Sequence, residues 1–198
     1  MSEGIGARVL RKEDKRFITG KGRYTDDIIE ANQAYAAFVR SPHAHARIVS
    51  LDTSAALAME GVETVLTGPE LVADGIGNII CGWGITSKDG TPMNMGAWSA
   101  LATEKVRYVG DAVAIVVADS KSQAKLAAEA VVVTYEELPV VVGSVDALAP
   151  SAPKIHDNAP GNLIFDWEIG DLSPTDAALA SAAHVTEMEI TNNRLAPN

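Results

Sequence analysis

The stretch EKVRYVGDAVAIVVADSKSQAKLAAEAVVVTYEEL, residues 104–138, decides the fold that the sequence predicts. An apolar run at 112–118 is followed by Asp119 and Ser120, and then by small apolar residues at 124, 127, 128 and 131. Because this spacing places them on one helical face, the stretch predicts a strand, a short helix and a second strand over 131–135. If the two strands are parallel neighbours, the crossover is right-handed.

This central module also has a predicted helix start and a predicted core. Ser120 and Gln123 fit a capping box, in which each side chain satisfies a backbone N–H that the first helical turn leaves unpaired. We expect both apolar strands to be buried on both faces, with Ile115 in the core. The module is therefore predicted to be the most stable part of the chain.

Strand and short-helix patterns recur on both sides of the module. Upstream, the sequence predicts a hairpin of strands at 34–40 and 44–51 joined at Pro42. A short helix at 55–59, ended by Gly61, and a strand at 62–66 are predicted to follow. The next predicted element is a helix at 69–73, with Pro69 in its first turn. Downstream, it predicts a helix at 145–148, a strand at 162–168, a helix capped by Ser173, and an alternating strand at 184–191.

Composition and charge limit the class of protein and the kinds of partner that the chain can have. With 198 residues and 47% hydrophobic content, the chain can bury its own core. The net charge is −10, yet residues 1–24 carry a net +4 and the remainder a net −14. The acidic body argues against nucleic acid as a partner, whereas the basic start is either a docking arm or a solvated terminus. One cysteine, no secretory signal and no transmembrane run predict a cytoplasmic protein.

Three stretches are candidates for contact with other proteins. They are the basic arm over 8–24, the predicted strand that carries His43 and His45, and the aperiodic loop over 74–103, whose Trp and Met residues either cover the core or face a partner. The candidate interface residues in these stretches are Arg16, Phe17, Lys21, Arg23, Tyr24, His43, His45, Trp83 and Trp98.

No catalytic, cofactor-binding or metal site is predicted from the residues. His43 and His45 are expected on one face of a strand, but no third ligand adjoins them in sequence. The stretch at 20–23 has two glycines and two cations but lacks the full phosphate-loop pattern. Cys81 has no histidine nearby in sequence that would make it a nucleophile.

Several segments together resemble the start of the large, molybdopterin-binding subunit of the xanthine dehydrogenase, aldehyde oxidase and aerobic carbon monoxide dehydrogenase family. They are RFITGKGRYTDDI at 16–28, FVRSPHAHARIVSLDTSAALAMEGV at 38–62, KVRYVGDAVAIVVADSKSQAKLAAEAVVVTYEELPVV at 105–141, and NLIFDWEIGD at 162–171. The resemblance implies an α/β hammerhead domain, of the α+β class with mixed sheets and short Ala-rich helices. It divides the chain into an extended arm (1–32), a hammerhead core (33–150) and an extension (151–198) leading toward a molybdopterin-binding domain.

For the whole enzyme, the resemblance implies a molybdenum hydroxylase that oxidises an aldehyde, an N-heterocycle, carbon monoxide or a similar small molecule with oxygen from water. Its cofactors would be a molybdenum-molybdopterin cofactor, [2Fe–2S] clusters and FAD. Its other parts would be the remainder of the molybdopterin-binding subunit, an iron–sulfur subunit and an FAD subunit. This chain alone is expected to be inactive, as scaffold and subunit contact. The alternative is a non-catalytic binding or assembly module.

Overall fold

The computed structural model describes residues 4–6, 9–96 and 98–190. The described residues form two compact units, one within the range 1–80 and 97–143 and the other within 81–96 and 144–198. The helices are α1 (Asp14–Ile18), α2 (Ser54–Leu57), α3 (Gly68–Ala73), α4 (Lys121–Ala130), α5 (Ser144–Ala147) and α6 (Leu172–Ser181). The strands are β1 (Tyr35–Arg40), β2 (Ala46–Asp52), β3 (Val62–Thr67), β4 (Lys105–Val106), β5 (Ala112–Ala118) and β6 (Val132–Glu137). None of the described helices is long and apolar enough to cross a membrane.

The six strands found among the described residues lie in the first unit, in two three-stranded sheets. The strand orders are β1-β5-β3 and β4-β2-β6, and every pairing is antiparallel. The α+β class is confirmed, but the sheets are antiparallel where the sequence suggested mixed ones. The predicted β1–β2 hairpin is wrong, and β5 and β6 are not the parallel neighbours on which the right-handed crossover depended. Both edges of β5 are occupied by β1 and β3, so β6 pairs with β2 instead.

Strand β5 connects two small cores. Its Ala114 and Val116 pack with buried residues of α2, β3 and α4, whereas Val113 packs with the other sheet. Ile115 and Val117 are only half-buried. The expectation that both central strands are buried on both faces is therefore wrong: Val113 apart, the fully buried side chains of β5 are those on the face that meets the helices.

The local signals at turns are largely confirmed. Ser120 Oγ accepts a hydrogen bond from the Gln123 backbone N–H at 3.2 Å and caps α4. The Gln123 side chain does not return to the Ser120 backbone; its Nε2 donates to the Glu60 carbonyl at 3.1 Å. Gly61 has φ +78°, the left-handed conformation predicted for it. Helix α4 is thus tied to the turn that precedes β3.

In the second unit, residues 163–166 run beside a hairpin loop at 85–93. Lys88 N–H donates to the Asp166 carbonyl at 2.7 Å and Asn94 N–H to the Ile164 carbonyl at 2.8 Å, without a regular ladder. The predicted strand at 162–168 is therefore not a ladder strand in the structure, and 184–190 forms no ladder either; residue 191 lies outside the described residues. Helix α6 begins after Asp171 rather than after Ser173.

Candidate subunit interface

The arm is folded back on itself rather than fully extended. Gly20, with φ +68°, ends α1: its N–H donates to the Phe17 carbonyl at 3.1 Å, and Lys21 N–H donates to the Arg16 carbonyl at 2.9 Å. This pair of bonds is the Schellman pattern, which satisfies carbonyls left open at a helix end and turns the chain. The turn brings the ring of Phe17 to 5.5 Å from that of Tyr24, nearly parallel to it.

A cation and a glycine complete this aromatic cluster. The guanidinium carbon of Arg16 lies 5.0 Å from the centroid of the Phe17 ring, within the range of a cation–π contact. A Cβ on Gly22 would lie 2.6 Å from Phe17 Cδ1, so a side chain there would displace the ring. Tyr24 is exposed at the other side of the pair. The arm thus presents two rings flanked by positive charge.

A surface ion pair holds the arm near α4. Lys121 Nζ lies 2.6 Å from Asp26 Oδ2. The hydrogen bond and charge of Lys121 lower the pKa of the Asp26 carboxyl, and Asp26 in turn raises the pKa of Lys121. Both groups are exposed, so the pair orients the arm more than it stabilises the fold. Lys21 and Arg23 are also exposed and form no ion pair with the described residues.

His43 and His45 lie in a bend before β2, so the expectation that they share a strand face is wrong. His45 is buried, with 6% of its surface exposed. Its Nδ1 lies 2.8 Å from the Pro139 carbonyl, which can only accept, so Nδ1 carries the proton. Its Nε2 is buried and has no hydrogen-bond partner among the described residues. His45 therefore supports the bend and presents little surface to another protein.

His43 is half-buried and has aromatic and acidic neighbours. Its ring centroid lies 4.9 Å from that of Tyr135, and its Nδ1 lies 3.5 Å from Glu137 Oε1. Burial raises the pKa of the Tyr135 hydroxyl. These three side chains meet at the open end of the β2–β6 pair. They form a small patch that a partner could contact.

Each unit exposes one tryptophan of the long loop. Trp83, in the second unit, is 79% exposed, and Trp98, in the first unit, is 52% exposed. The Trp98 carbonyl accepts a hydrogen bond from Ile79 N–H at 2.7 Å. Cys81 is exposed, and its thiol donates to the Trp83 carbonyl at 3.3 Å. The loop backbone is therefore positioned while both indoles are accessible to solvent.

The structure brings some of the candidate residues together and leaves others separate. Arg16, Phe17 and Tyr24 form one cluster, whereas His43 makes its contacts elsewhere in the first unit. Across 4–6, 9–96 and 98–190, no group of three or more His, Cys, Asp or Glu side chains is placed to hold a metal ion. Sequence reasoning missed Lys121, Tyr135 and Glu137 as neighbours, because about ninety residues separate them from their contacts and no local pattern marks such pairs.

The amino-acid sequence matches the model of a known domain family. Residues 19–139 match the family model described as aldehyde oxidase and xanthine dehydrogenase, a/b hammerhead domain. The chain is 38% identical to the carbon monoxide dehydrogenase large chain of Afipia carboxidovorans, over 99% of this chain and 24% of that one. It is 37% identical to the nicotine 6-hydroxylase large subunit of Paenarthrobacter nicotinovorans, over 91% of this chain and 21% of that subunit.

A solved structure shares the fold. The reconstituted CO dehydrogenase from Oligotropha carboxidovorans superposes with a TM-score of 0.66 at 37% sequence identity, covering 91% of this chain and 23% of that chain. The chain therefore spans about a quarter of the length of the relatives that it matches.

Proposed function

The chain belongs to the aldehyde oxidase and xanthine dehydrogenase family through its a/b hammerhead domain, and from this we propose that it is the scaffold and subunit-contact part of a molybdenum hydroxylase. In this proposal the arm (1–32) and the extension (151–198) flank the hammerhead core (33–150). The complex oxidises an aldehyde, an N-heterocycle, carbon monoxide or a similar small molecule with oxygen from water. The single cysteine suits a reducing compartment, and we place the complex in the cytoplasm.

One observation carries the proposal. Nearly the whole chain aligns with the large chain of a multi-subunit oxidoreductase, yet it spans only about a quarter of that chain. The chain thus corresponds to one part of a longer relative, and it has small cores and many exposed apolar side chains. We expect such a domain to function inside a larger assembly. The partners in this proposal are the remainder of the molybdopterin-binding subunit, an iron–sulfur subunit and an FAD subunit.

In this proposal, the cofactors of such a complex are held by its other parts. A [2Fe–2S] cluster is typically held by four thiolates, and the chain has one cysteine. The described residues likewise offer no cluster of metal ligands. We therefore assign molybdenum-molybdopterin, iron–sulfur and FAD binding to the other parts of the complex and derive no catalytic step on this chain.

The contact surface is proposed to include the aromatic cluster of the arm, formed by Arg16, Phe17 and Tyr24. It is also proposed to include the patch around His43 and the two tryptophans of the long loop, Trp83 and Trp98. Aromatic and Arg side chains are enriched where proteins meet, and they contribute most when a partner excludes water from them. Lys21 and Arg23 add positive charge beside the Phe17–Tyr24 pair, which suits an acidic partner surface and makes association weaken with salt. His45 supports this surface from inside the bend.

Purification of the tagged chain from its native cells tests the proposal. We expect large chains to co-purify in fixed stoichiometry, with molybdenum by mass spectrometry and with the visible absorbance of iron–sulfur and flavin groups. Hydrogen exchange in the complex is expected to slow at 8–24, at 43–45 and at 74–103, relative to the isolated chain.

A charge-reversal pair serves as the control. Lys21→Glu should lower the amount of co-purified partner, whereas Lys125→Glu, the same change on an exposed position of α4, should not. A 20.8 kDa chain that elutes alone, without metal or partners, would contradict the proposal and favour a free-standing assembly module.

A further inference from the structure

In the second unit, one side of the segment at 163–169 is occupied and the other is open. The carbonyls of Ile164 and Asp166 accept from the backbone of the hairpin loop at 2.8 and 2.7 Å, and Asp166 N–H donates to Ser87 Oγ at 3.2 Å. In an extended chain, the N–H and C=O groups of alternate residues point to opposite sides. The Leu163 carbonyl also accepts from Asn94 Nδ2 at 3.0 Å, whereas the backbone groups of residues 165, 167 and 169 make no hydrogen bond to the hairpin loop. We call these three residues the open edge.

The open edge has no hydrogen-bond partner within the part of the chain that the structure describes. Unpaired strand edges of this kind are templates for another strand, and proteins usually cover them, shorten them or charge them. Here the edge belongs to residues of high β-propensity rather than to lysines or prolines. The open edge is therefore a place where a strand can be added.

The side chains on the open edge form an apolar row. Phe165, Trp167 and Ile169 alternate with polar or smaller neighbours, a spacing that places the three on one face when the segment pairs as a strand. They are 39%, 55% and 79% exposed. Three large apolar side chains in line on an exposed segment mark a contact surface. A strand that adds to the edge would cover this row with its own apolar residues.

Charge argues against a second copy of this chain as the occupant. The opposite face of the segment carries Asp166 and Glu168, and Asp171 follows, with no Lys or Arg from 162 to 171. Asp166 forms an ion pair with Lys88, whose Nζ lies at 2.9 Å and also feels the charge of Glu168. Two such edges paired with each other would place like charges opposite one another, which is destabilising. The chain as a whole has a net charge of −10, which adds to this repulsion.

We propose that the open edge receives a β-strand from the molybdopterin-binding part of the large subunit, the part of the relatives' length that this chain does not span. That strand has alternating apolar residues that cover Phe165, Trp167 and Ile169, and neutral or basic residues opposite Glu168. The match to the carbon monoxide dehydrogenase large chain covers 99% of this chain, so the segment is part of the shared region. The inference rests on the proposed function. It names the contact through which the second unit binds the remainder of the large subunit.

Single-residue hydrogen exchange on the complex that co-purifies with the tagged chain tests this contact. The amides of residues 165, 167 and 169 should exchange about 100-fold more slowly in the complex than in the isolated chain. The amides of Lys88 and Asn94 are already bonded at 2.7 and 2.8 Å and should be protected in both samples. This alternate-residue pattern distinguishes an added strand from general shielding, which would slow neighbouring amides alike.

A matched pair of proline variants sharpens the test. Trp167→Pro removes an N–H from the open edge, whereas Glu168→Pro removes one from the other side of the same segment. We expect Trp167→Pro to reduce the co-purified partner by about 10-fold, with Glu168→Pro close to the parent chain. Circular dichroism and the Lys88 amide report whether both variants keep the hairpin contact.

The outcomes separate this inference from the proposed function. If the complex forms but the amides of 165, 167 and 169 exchange as in the isolated chain, the strand addition is wrong and the proposed function stands. If no complex forms, the proposed function fails and the inference fails with it. If the isolated chain dimerises and protects the same amides, the edge is occupied by a second copy and the inference is overturned.

Discussion

The stability of β5 should depend on which face of the strand is changed. Val116 and Val117 are adjacent and chemically identical, but Val116 is fully buried against the helices and Val117 is half-buried on the other face. Replacing either by Ala removes the same two methyl groups and lowers β-propensity equally. The difference between the two variants therefore measures burial alone.

The expected magnitudes follow from the burial of those methyl groups. At about 0.8 kcal/mol for each buried carbon, Val116→Ala loses about 1.6 kcal/mol of transfer free energy. The cavity left in a close-packed core brings the total to about 2–3 kcal/mol. Val117→Ala should cost about 1 kcal/mol or less, because part of its side chain is already in water.

Urea denaturation followed by circular dichroism checks this prediction. With a slope of about 1–3 kcal/mol per M, the Val116→Ala midpoint should fall by about 1 M, and the Val117→Ala midpoint by clearly less. Equal losses for the two variants would refute the conclusion that helices cover only one face of this sheet. A larger loss for Val117→Ala would reverse the assignment of faces.

Two further pairs test local signals, with urea midpoints as the measurement. Ser120→Ala removes the cap of α4 and should cost about 1 kcal/mol, whereas Ser122→Ala inside the helix should change little; equal effects would show that the cap contributes nothing. Gly61→Ala and Gly75→Ala both place a Cβ on a residue with φ +78°, at a cost of about 1–2 kcal/mol. Only at Gly61 would that Cβ also displace the side chain of Gln123, so a smaller loss at Gly61 than at Gly75 would contradict the contact.

Much of the secondary structure of the first unit was predictable because its signals are local. The apolar run that became β5, the small residues on one face of α4 and the positive φ of Gly61 each follow from neighbours within a few residues. The pairing of those strands was not predictable in the same way. An alternating pattern says that a strand has two faces, but it does not say which strand occupies each edge.

The second unit also shows that alternation in the sequence does not predict strand pairing. The segments at 162–168 and 184–190 have strand-like alternation, yet neither forms a ladder in the structure. A strand requires a partner for its backbone groups, and alternation in one segment carries no information on whether that partner is present. The open edge beside Trp167 is the consequence, and only the hydrogen bonds of Ile164 and Asp166 show which side is free.

The sequence by itself determined the family and the α+β class, and it predicted a set of candidate contact residues, because each of these depends on motifs and composition read along the chain. Only the tertiary structure decided how those residues are used. Arg16, Phe17 and Tyr24 became a cluster through a turn, Lys121 reached Asp26 across ninety-five residues, and His45 became buried while His43 did not. The physical reason is that exposure and long-range contacts are set by the packing of elements distant in sequence, which no local pattern encodes.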